Sequence, residues 1–213
     1  EHNKLVFYVL ADLQMDVRLL LAKVVHNQDI DVPRTHRITL LNFQGEDYIV
    51  DVGFGHIGAR YPVKLEVGTE QDQGDNCYRI IENSQGEYGY QVFKDGDYFT
   101  LYIFDLNQYT EADCLLGHFY SHRHPDAVFV TNLVVCRKSF NDIRSLRNGH
   151  FHRIKNGETQ ITDVTSTQIL QRMLTQEFDL DINITDSAFL FNKFITKSFA
   201  LGNTTRPPDS PPS

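Results

Sequence analysis

The chain has 213 residues, 41% of them hydrophobic and 23% charged, which suits one sizeable core or two small ones and excludes a disordered or fibrous protein. Its formal net charge of −8 at pH 7, with no stretch that concentrates Lys and Arg, argues against a nucleic-acid surface, because a phosphate backbone is drawn by dense positive charge. No apolar run approaches the roughly 18 residues that cross a bilayer, and no basic-then-apolar leader opens the chain, so no membrane partner is expected.

In chain order, Val6, Phe7, Val9, Leu10 and Leu13 recur at helical spacing, which predicts a short helix over 3–13 with one buried face. Residues 17–25 fit helix or strand equally, and Asn27-Gln28-Asp29 reads as a loop. Residues 1–30 are thus expected to be the remnant of a helical region. Residues 36–43 and 48–52, rich in β-branched and aromatic types, flank Gln44-Gly45-Glu46-Asp47 as a hairpin. Further strands are predicted at 63–67, 77–82, 88–93 and 98–104, and their even spacing points to a small β-barrel or sandwich over 31–108. Residues 109–122 read as helix, 127–137 and 150–155 as strands, and 166–178 as an amphipathic helix capped by Ser166 or Thr165. The last seven residues hold four of the seven prolines, so 203–213 is expected to be a disordered tail after a region spanning 109–202.

Cys77, Cys114 and Cys136 are an odd set at wide intervals, with neither zinc spacing nor a disulfide framework, which favours the cytoplasm. Asn183-Ile184-Thr185 and Asn203-Thr204-Thr205 match the glycosylation pattern, here read as coincidence. His118 and His122 stand four apart on a predicted helix with His124 close by. No Glu follows His118 as a zinc-protease motif requires, so no metal site is expected. His150 and His152 alternate as in a strand and are expected to face solvent.

A thiol or hydroxyl becomes a useful nucleophile when an imidazole takes its proton and a carboxylate holds the other ring nitrogen. His36 and Asp51, fifteen residues apart across the predicted hairpin, fit those two roles. Two surface residues beside a hairpin would look the same. Gly53-Phe54-Gly55, just after Asp51, permits close backbone approach or a positive φ at that point, as a bare strand-end bend also does. If Gly45-Glu46 closes a regular hairpin, Asp51 pairs with Leu40 and lies about four residues, roughly 13 Å, from His36. A bulge, a shifted register or a third strand is then required.

The set Glu1-x-Asn3 opening a helix, Arg34-Thr35-His36, Val50-Asp51-Val52-Gly53-Phe54-Gly55, His124-Pro125-x-x-x-Phe129 and a late helix ending in Phe178 resembles the arylamine N-acetyltransferases, in the same order and at similar spacing. The resemblance covers most of residues 1–182, and its most specific piece is Asp51 to Gly55. It implies an α+β fold: a cysteine-protease-like helical start, a central antiparallel β-barrel and a C-terminal α/β lid region. It implies a nucleophilic cysteine in an Arg-Gly-Gly-x-Cys-x-Glu-x-Asn motif whose last three positions match Glu1-His2-Asn3. That cysteine falls two residues ahead of Glu1, so the chain alone is expected to be inactive. Acetyl would pass from acetyl-CoA to the cysteine and then to an arylamine, arylhydroxylamine or arylhydrazine nitrogen in a ping-pong cycle, a reaction of xenobiotic metabolism. His36 would shuttle the proton, Asp51 would hold the ring, and Phe54 and Gly55 would wall the acceptor pocket. Ala127 stands where the family has a small hydroxylated residue near the cofactor.

Two other readings share these residues. One is a non-catalytic scaffold that binds an aromatic ligand or a protein partner. The other is a cysteine-protease or transglutaminase-like relative acting on peptide amides. None of the three cysteines present precedes a helix as the family's nucleophile does: Cys77 and Cys136 sit in strand-like runs, and Cys114 has the acidic neighbour Asp113, which disfavours thiolate.

Overall fold

Alternating apolar residues curl the first half of the chain into a barrel. The computed structural model describes residues 1–196. In it α1 (His2–Asp12) precedes β1 (Asp16–Val24), β2 (His36–Phe43), β3 (Glu46–Val50), β4 (Val63–Lys64), β5 (Gln71–Asp72), β6 (Cys77–Glu82), β7 (Tyr88–Lys94) and β8 (Asp97–Phe104). These eight strands form one antiparallel sheet in the order β4-β3-β2-β1-β8-β7-β6-β5. Leu20, Ile38, Leu40, Ile49, Tyr90 and Tyr102 meet in a single core, as alternate side chains of a curled sheet must.

The sheet nearly closes on itself through side chains. The Gln71 amide in β5 accepts from the Lys64 N–H of β4 at 2.7 Å and donates to its carbonyl at 2.9 Å. Gln73 does the same for Tyr61, at 3.0 Å in each direction. Two glutamines thus satisfy edge groups that would otherwise be open to a foreign strand.

The barrel sheet starts at Asp16, ahead of the expected start at residue 31, and the helical opening ends at Asp12. Residues 17–25 were ambiguous for a physical reason: Leu19, Leu20, Leu21 and Ala22 are all buried, so β1 is covered on both faces and shows no alternation. The expectation for α1 needs correcting. Its buried residue is the polar Asn3, while Leu5, Val9 and Leu13 are exposed. The strand expected over 63–67 shrinks to Val63–Lys64.

α2 (Glu111–Arg123) follows β8. The described chain divides into two compact units, one ending at Ser121 and the next starting at His122. The second unit holds α3 (Val128–Thr131), four antiparallel strands β9 (Val134–Lys138), β10 (Asp142–Arg147), β11 (His150–Lys155) and β12 (Glu158–Asp163), then α4 (Thr167–Phe178), α5 (Ile184–Leu190) and a π-helical turn, Phe191–Ile195. Its strands run antiparallel throughout, so the expected α/β character of this region is corrected to α+β. The strand expected over 127–137 breaks because the Thr131 hydroxyl and the Asn132 amide turn back to the carbonyls of Ala127 and Val128, at 3.1 and 3.2 Å. α4 behaves as its pattern predicts. Ser166 caps it by accepting from the Ile169 N–H at 3.2 Å, and Leu170, Leu174 and Phe178 bury one stripe. The tail expected over 203–213 and the Asn203 acceptor lie outside the described residues. Among the described residues no helix is long and apolar enough to cross a membrane.

Candidate active site

The hairpin that carries His36 and Asp51 closes differently from the regular turn assumed above. Gln44 and Gly45 both take positive φ, +56° and +84°, so the loop has two residues and Phe43 pairs with Glu46. Thr39 then faces Val50, which sets Asp51 level with Ile38. The separation along the strand falls from four residues to two, about 7 Å. Two inward-leaning side chains span it, and His36 Nε2 lies 2.6 Å from Asp51 Oδ2. The shifted register is what unites the pair.

Asp51 is 8% exposed, and three donors hold it. Besides His36, the Asn3 amide donates to Oδ1 at 2.7 Å and the Gly53 N–H donates to the same oxygen at 2.9 Å. Asn3, in the first turn of α1, also donates to the Arg37 carbonyl at 2.6 Å and accepts from the Val52 N–H at 2.7 Å. One side chain therefore ties the start of α1 to β2 and to the strand end after β3. Burial acts to raise the Asp51 pKa, but the His36 charge and the hydrogen bonds from His36, Asn3 and Gly53 outweigh it and hold the carboxyl below its ordinary value. An ionised Asp51 accepts, so His36 Nε2 carries hydrogen and Nδ1 is the nitrogen left to take a proton.

Gly53 serves close approach. A Cβ there would stand 2.9 Å from Asn3 Nδ2 and 3.3 Å from its Cγ. Gly53→Ala is expected to push the Asn3 amide off Asp51 and to cost about 1–3 kcal/mol, read as a lower urea midpoint with an unchanged slope. Gly55 is the member of the pair with a left-handed φ, +101°.

Aromatic rings pack on the other sides of His36. Phe54 meets it edge-on at 5.4 Å between centroids and Tyr102 lies at 5.3 Å. Phe54 also packs against Tyr102 at 5.4 Å and His26 at 5.7 Å. The buried Tyr102 hydroxyl lies in the field of Asp51 without completing a hydrogen bond of good geometry, and burial followed by that charge pushes its pKa well above the ordinary tyrosine value.

Upstream, Arg34 braces the segment leading into His36. Its guanidinium reaches Glu87 at 2.6 Å and Asp105 at 2.8 Å, and donates to the carbonyls of Leu21 and Ile103 at 3.4 and 3.3 Å. Asn3, Tyr102 and the Arg34 partners were not singled out from the sequence as site residues. Asn3 was legible as part of the opening motif, whereas Tyr102 lies in β8 and Glu87 and Asp105 flank β7 and β8, strands whose pairing only the folded sheet reveals.

The remaining candidates lie in other surroundings. Cys77 contacts the Tyr98 hydroxyl at 3.5 Å, and Cys114 lies 3.9 Å from an Arg37 nitrogen. Burial pushes the Cys136 thiol up to about 11. His150 does not simply face solvent but pairs through Nδ1 with Asp163 at 2.9 Å. Among the described residues no group of three or more His, Cys, Asp or Glu is placed to hold a metal ion. Asn183 caps α5 by accepting from the Asp186 N–H at 2.8 Å.

A family model described as N-acetyltransferase matches residues 1–187. The arylamine N-acetyltransferase / N-hydroxyarylamine O-acetyltransferase of Salmonella typhimurium is 30% identical over 190 residues, which are 86% of this chain and 66% of that protein. The chain thus spans just under two thirds of that relative's length. Among solved structures, the Salmonella typhimurium enzyme superposes with a TM-score of 0.84 at 27% identity, covering 90% of this chain and 73% of that one. Mycobacterium marinum arylamine N-acetyltransferase in complex with CoA gives 0.83 at 26% identity, covering 91% and 74%.

Proposed function

This chain belongs to the arylamine N-acetyltransferase family, and from that premise we propose that it carries the proton-handling part of an acetyl transfer from acetyl-CoA to the nitrogen of an arylamine, arylhydroxylamine or arylhydrazine. The observation that carries the reading is the 2.6 Å pair of His36 Nε2 and buried Asp51, tied by Asn3 to the first turn of α1. The nucleophile in this reading is a cysteine thiolate two residues ahead of Glu1. A helix N-terminus beside an imidazolium favours thiolate over thiol, and that is where such a residue would sit.

The steps follow from the protonation state. His36 Nδ1 takes the thiol proton, and the sulfur attacks the acetyl carbonyl of the coenzyme A thioester. Coenzyme A leaves as the thiol once His36 returns that proton. The amine then attacks the acetyl-enzyme, His36 takes a proton from its nitrogen, and the product amide leaves as the enzyme thiolate is restored. Asp51 steadies the imidazolium in both halves. Phe54, half-buried beside His36, offers a flat face to the aryl ring, and the positive φ of Gly55 turns the backbone away from it. Acetyl-CoA is a co-substrate here and small aromatic amines are the acceptors. A cytoplasmic setting, where thiols stay reduced, suits the chemistry.

A scaffold that merely bound an aromatic ligand would not need a buried carboxylate satisfied by three donors, whose desolvation is costly. The test uses the protein together with whatever segment its gene encodes ahead of Glu1. On mixing with acetyl-CoA, intact mass spectrometry is expected to show one acetyl group on a cysteine in that segment, released when an arylamine is added. Absence of that adduct, or another residue at the cysteine position, overturns the reading in favour of the scaffold. Turnover of peptide substrates instead would favour the protease-like relative.

A further inference from the structure

We infer that Glu111, at the start of α2, is a positioning residue for the His36–Asp51 pair, an inference that rests on the acetyl-transfer reading. Three donors from two other elements converge on its carboxylate: Arg37 Nη1 at 2.7 Å, Lys4 Nζ at 3.3 Å and the Tyr8 hydroxyl at 3.2 Å. Arg37 follows His36 in β2, and Lys4 follows Asn3 in α1. One carboxylate therefore grips the immediate neighbour of each of the two side chains that hold Asp51. The ring closes at the Arg37 carbonyl, which accepts from Asn3 at 2.6 Å.

The environment of Arg37 makes Glu111 hard to replace. The guanidinium is 10% exposed and lies over the Phe7 ring at 4.8 Å. Its Nε and Nη2 atoms are buried with no hydrogen-bond partner among the described residues. Nη1 faces the Glu111 carboxylate and, more distantly, the Cys114 sulfur at 3.9 Å. A permanently charged group so placed stays where its counter-charge holds it. α2 is itself seated against the segment before His36, since a Cβ on Gly117 would stand 3.2 Å from both the Arg34 carbonyl oxygen and Thr35 Cα. Without Glu111, α1 and β2 keep the Asn3–Arg37 carbonyl bond but lose the second tether, the one that joins Lys4 and Tyr8 to the Arg37 side chain, and His36 gains freedom to swing off Asp51.

Glu111→Gln keeps size and an acceptor oxygen while removing the charge, and Glu111→Asp keeps the charge at shorter reach. In the full-length protein, Glu111→Gln is expected to lower kcat/KM for the acetyl donor about tenfold and to change the shape of its pH profile. KM for the arylamine should stay close to the parent, and the variant should remain folded at the assay temperature although its thermal midpoint falls as Arg37 loses its counter-charge, with partial recovery of activity in Glu111→Asp. In the 213-residue chain, the His36 Nε2–H proton, shielded by Asp51, should exchange with water at least several-fold faster in Glu111→Gln. Unchanged exchange together with activity within twofold of the parent at every pH overturns the inference. So does a loss of activity that merely tracks a loss of folded protein. If the parent forms no acetyl-enzyme, the acetyl-transfer reading fails while the exchange measurement still decides whether Glu111 positions His36.

Discussion

Asp51→Asn in the full-length protein is expected to slow formation of the acetyl-enzyme by roughly a thousand- to ten-thousand-fold with little change in fold. The amide is the same size, and its oxygen can still accept from Asn3 and the Gly53 N–H, which both address Oδ1. Its nitrogen would then face His36 Nε2. Two donors cannot share that 2.6 Å gap, so the ring must flip its hydrogen to Nδ1 or turn away, and in either case the thiol loses its base. A single-turnover assay with acetyl-CoA measures the step directly. Near-normal acetylation by the variant would remove Asp51 from the mechanism.

The same substitution changes how stability depends on acid. Burial works to raise the pKa of Asp51, and its three partners more than offset this, leaving it below the ordinary value of 3.8. A carboxylate depressed in the folded state stabilises the fold above the unfolded pKa, and that stabilisation is lost progressively as pH falls from there through the lower folded value. Urea midpoints of the parent are therefore expected to decline at pH below about 4, and those of Asp51→Asn to decline less steeply over the same window.

Arg34→Met is expected to destabilise the chain by about 3 kcal/mol, near the lower end of the cost of removing one partner from a buried ion pair. Arg34 is 20% exposed, and its two acidic partners, Glu87 and Asp105, are each 16% exposed. Methionine fills the volume but leaves both carboxylates short of a cation. The loss is limited because Lys23 still reaches Glu87 at 3.0 Å and the Tyr109 hydroxyl still donates to Asp105 at 3.1 Å. Thermal denaturation should show a midpoint lower by about 10 °C. Arg34 also holds the Leu21 and Ile103 carbonyls near where β1 pairs with β8, so His36 should become less ordered as well. A midpoint within a degree or two of the parent would mean that solvent replaces the guanidinium without penalty.

How well each element was legible followed from how many faces it buries. α4, apolar on one stripe and capped by Ser166, could be read directly, as could β6, whose buried Tyr78 and Ile80 alternate with less buried residues. β1 could not, because it is buried on both sides. The strands expected from periodicity do not include β10 and β12, although Asn148-Gly149 and Asn156-Gly157, with left-handed φ at both asparagines, mark two-residue hairpins around β11. The broken strand at 128–132 depended on hydroxyl and amide groups turning back on the backbone, which hydrophobic periodicity does not register.

Residue types and order, by themselves, carried the resemblance to the family and offered one imidazole, one carboxylate and two nearby glycines as candidates. These are local facts of chemistry and spacing. Only the tertiary structure decided that the pair meets, since a turn at Gln44-Gly45 in place of one at Gly45-Glu46 moves Asp51 by two positions along His36's strand and brings a 13 Å expectation down to contact. It also decided what surrounds them. Asn3, Tyr102 and Glu111 stand far from His36 and Asp51 in the chain, as Glu87 and Asp105 do from Arg34, and contacts between distant segments come from packing, which no short window of sequence contains.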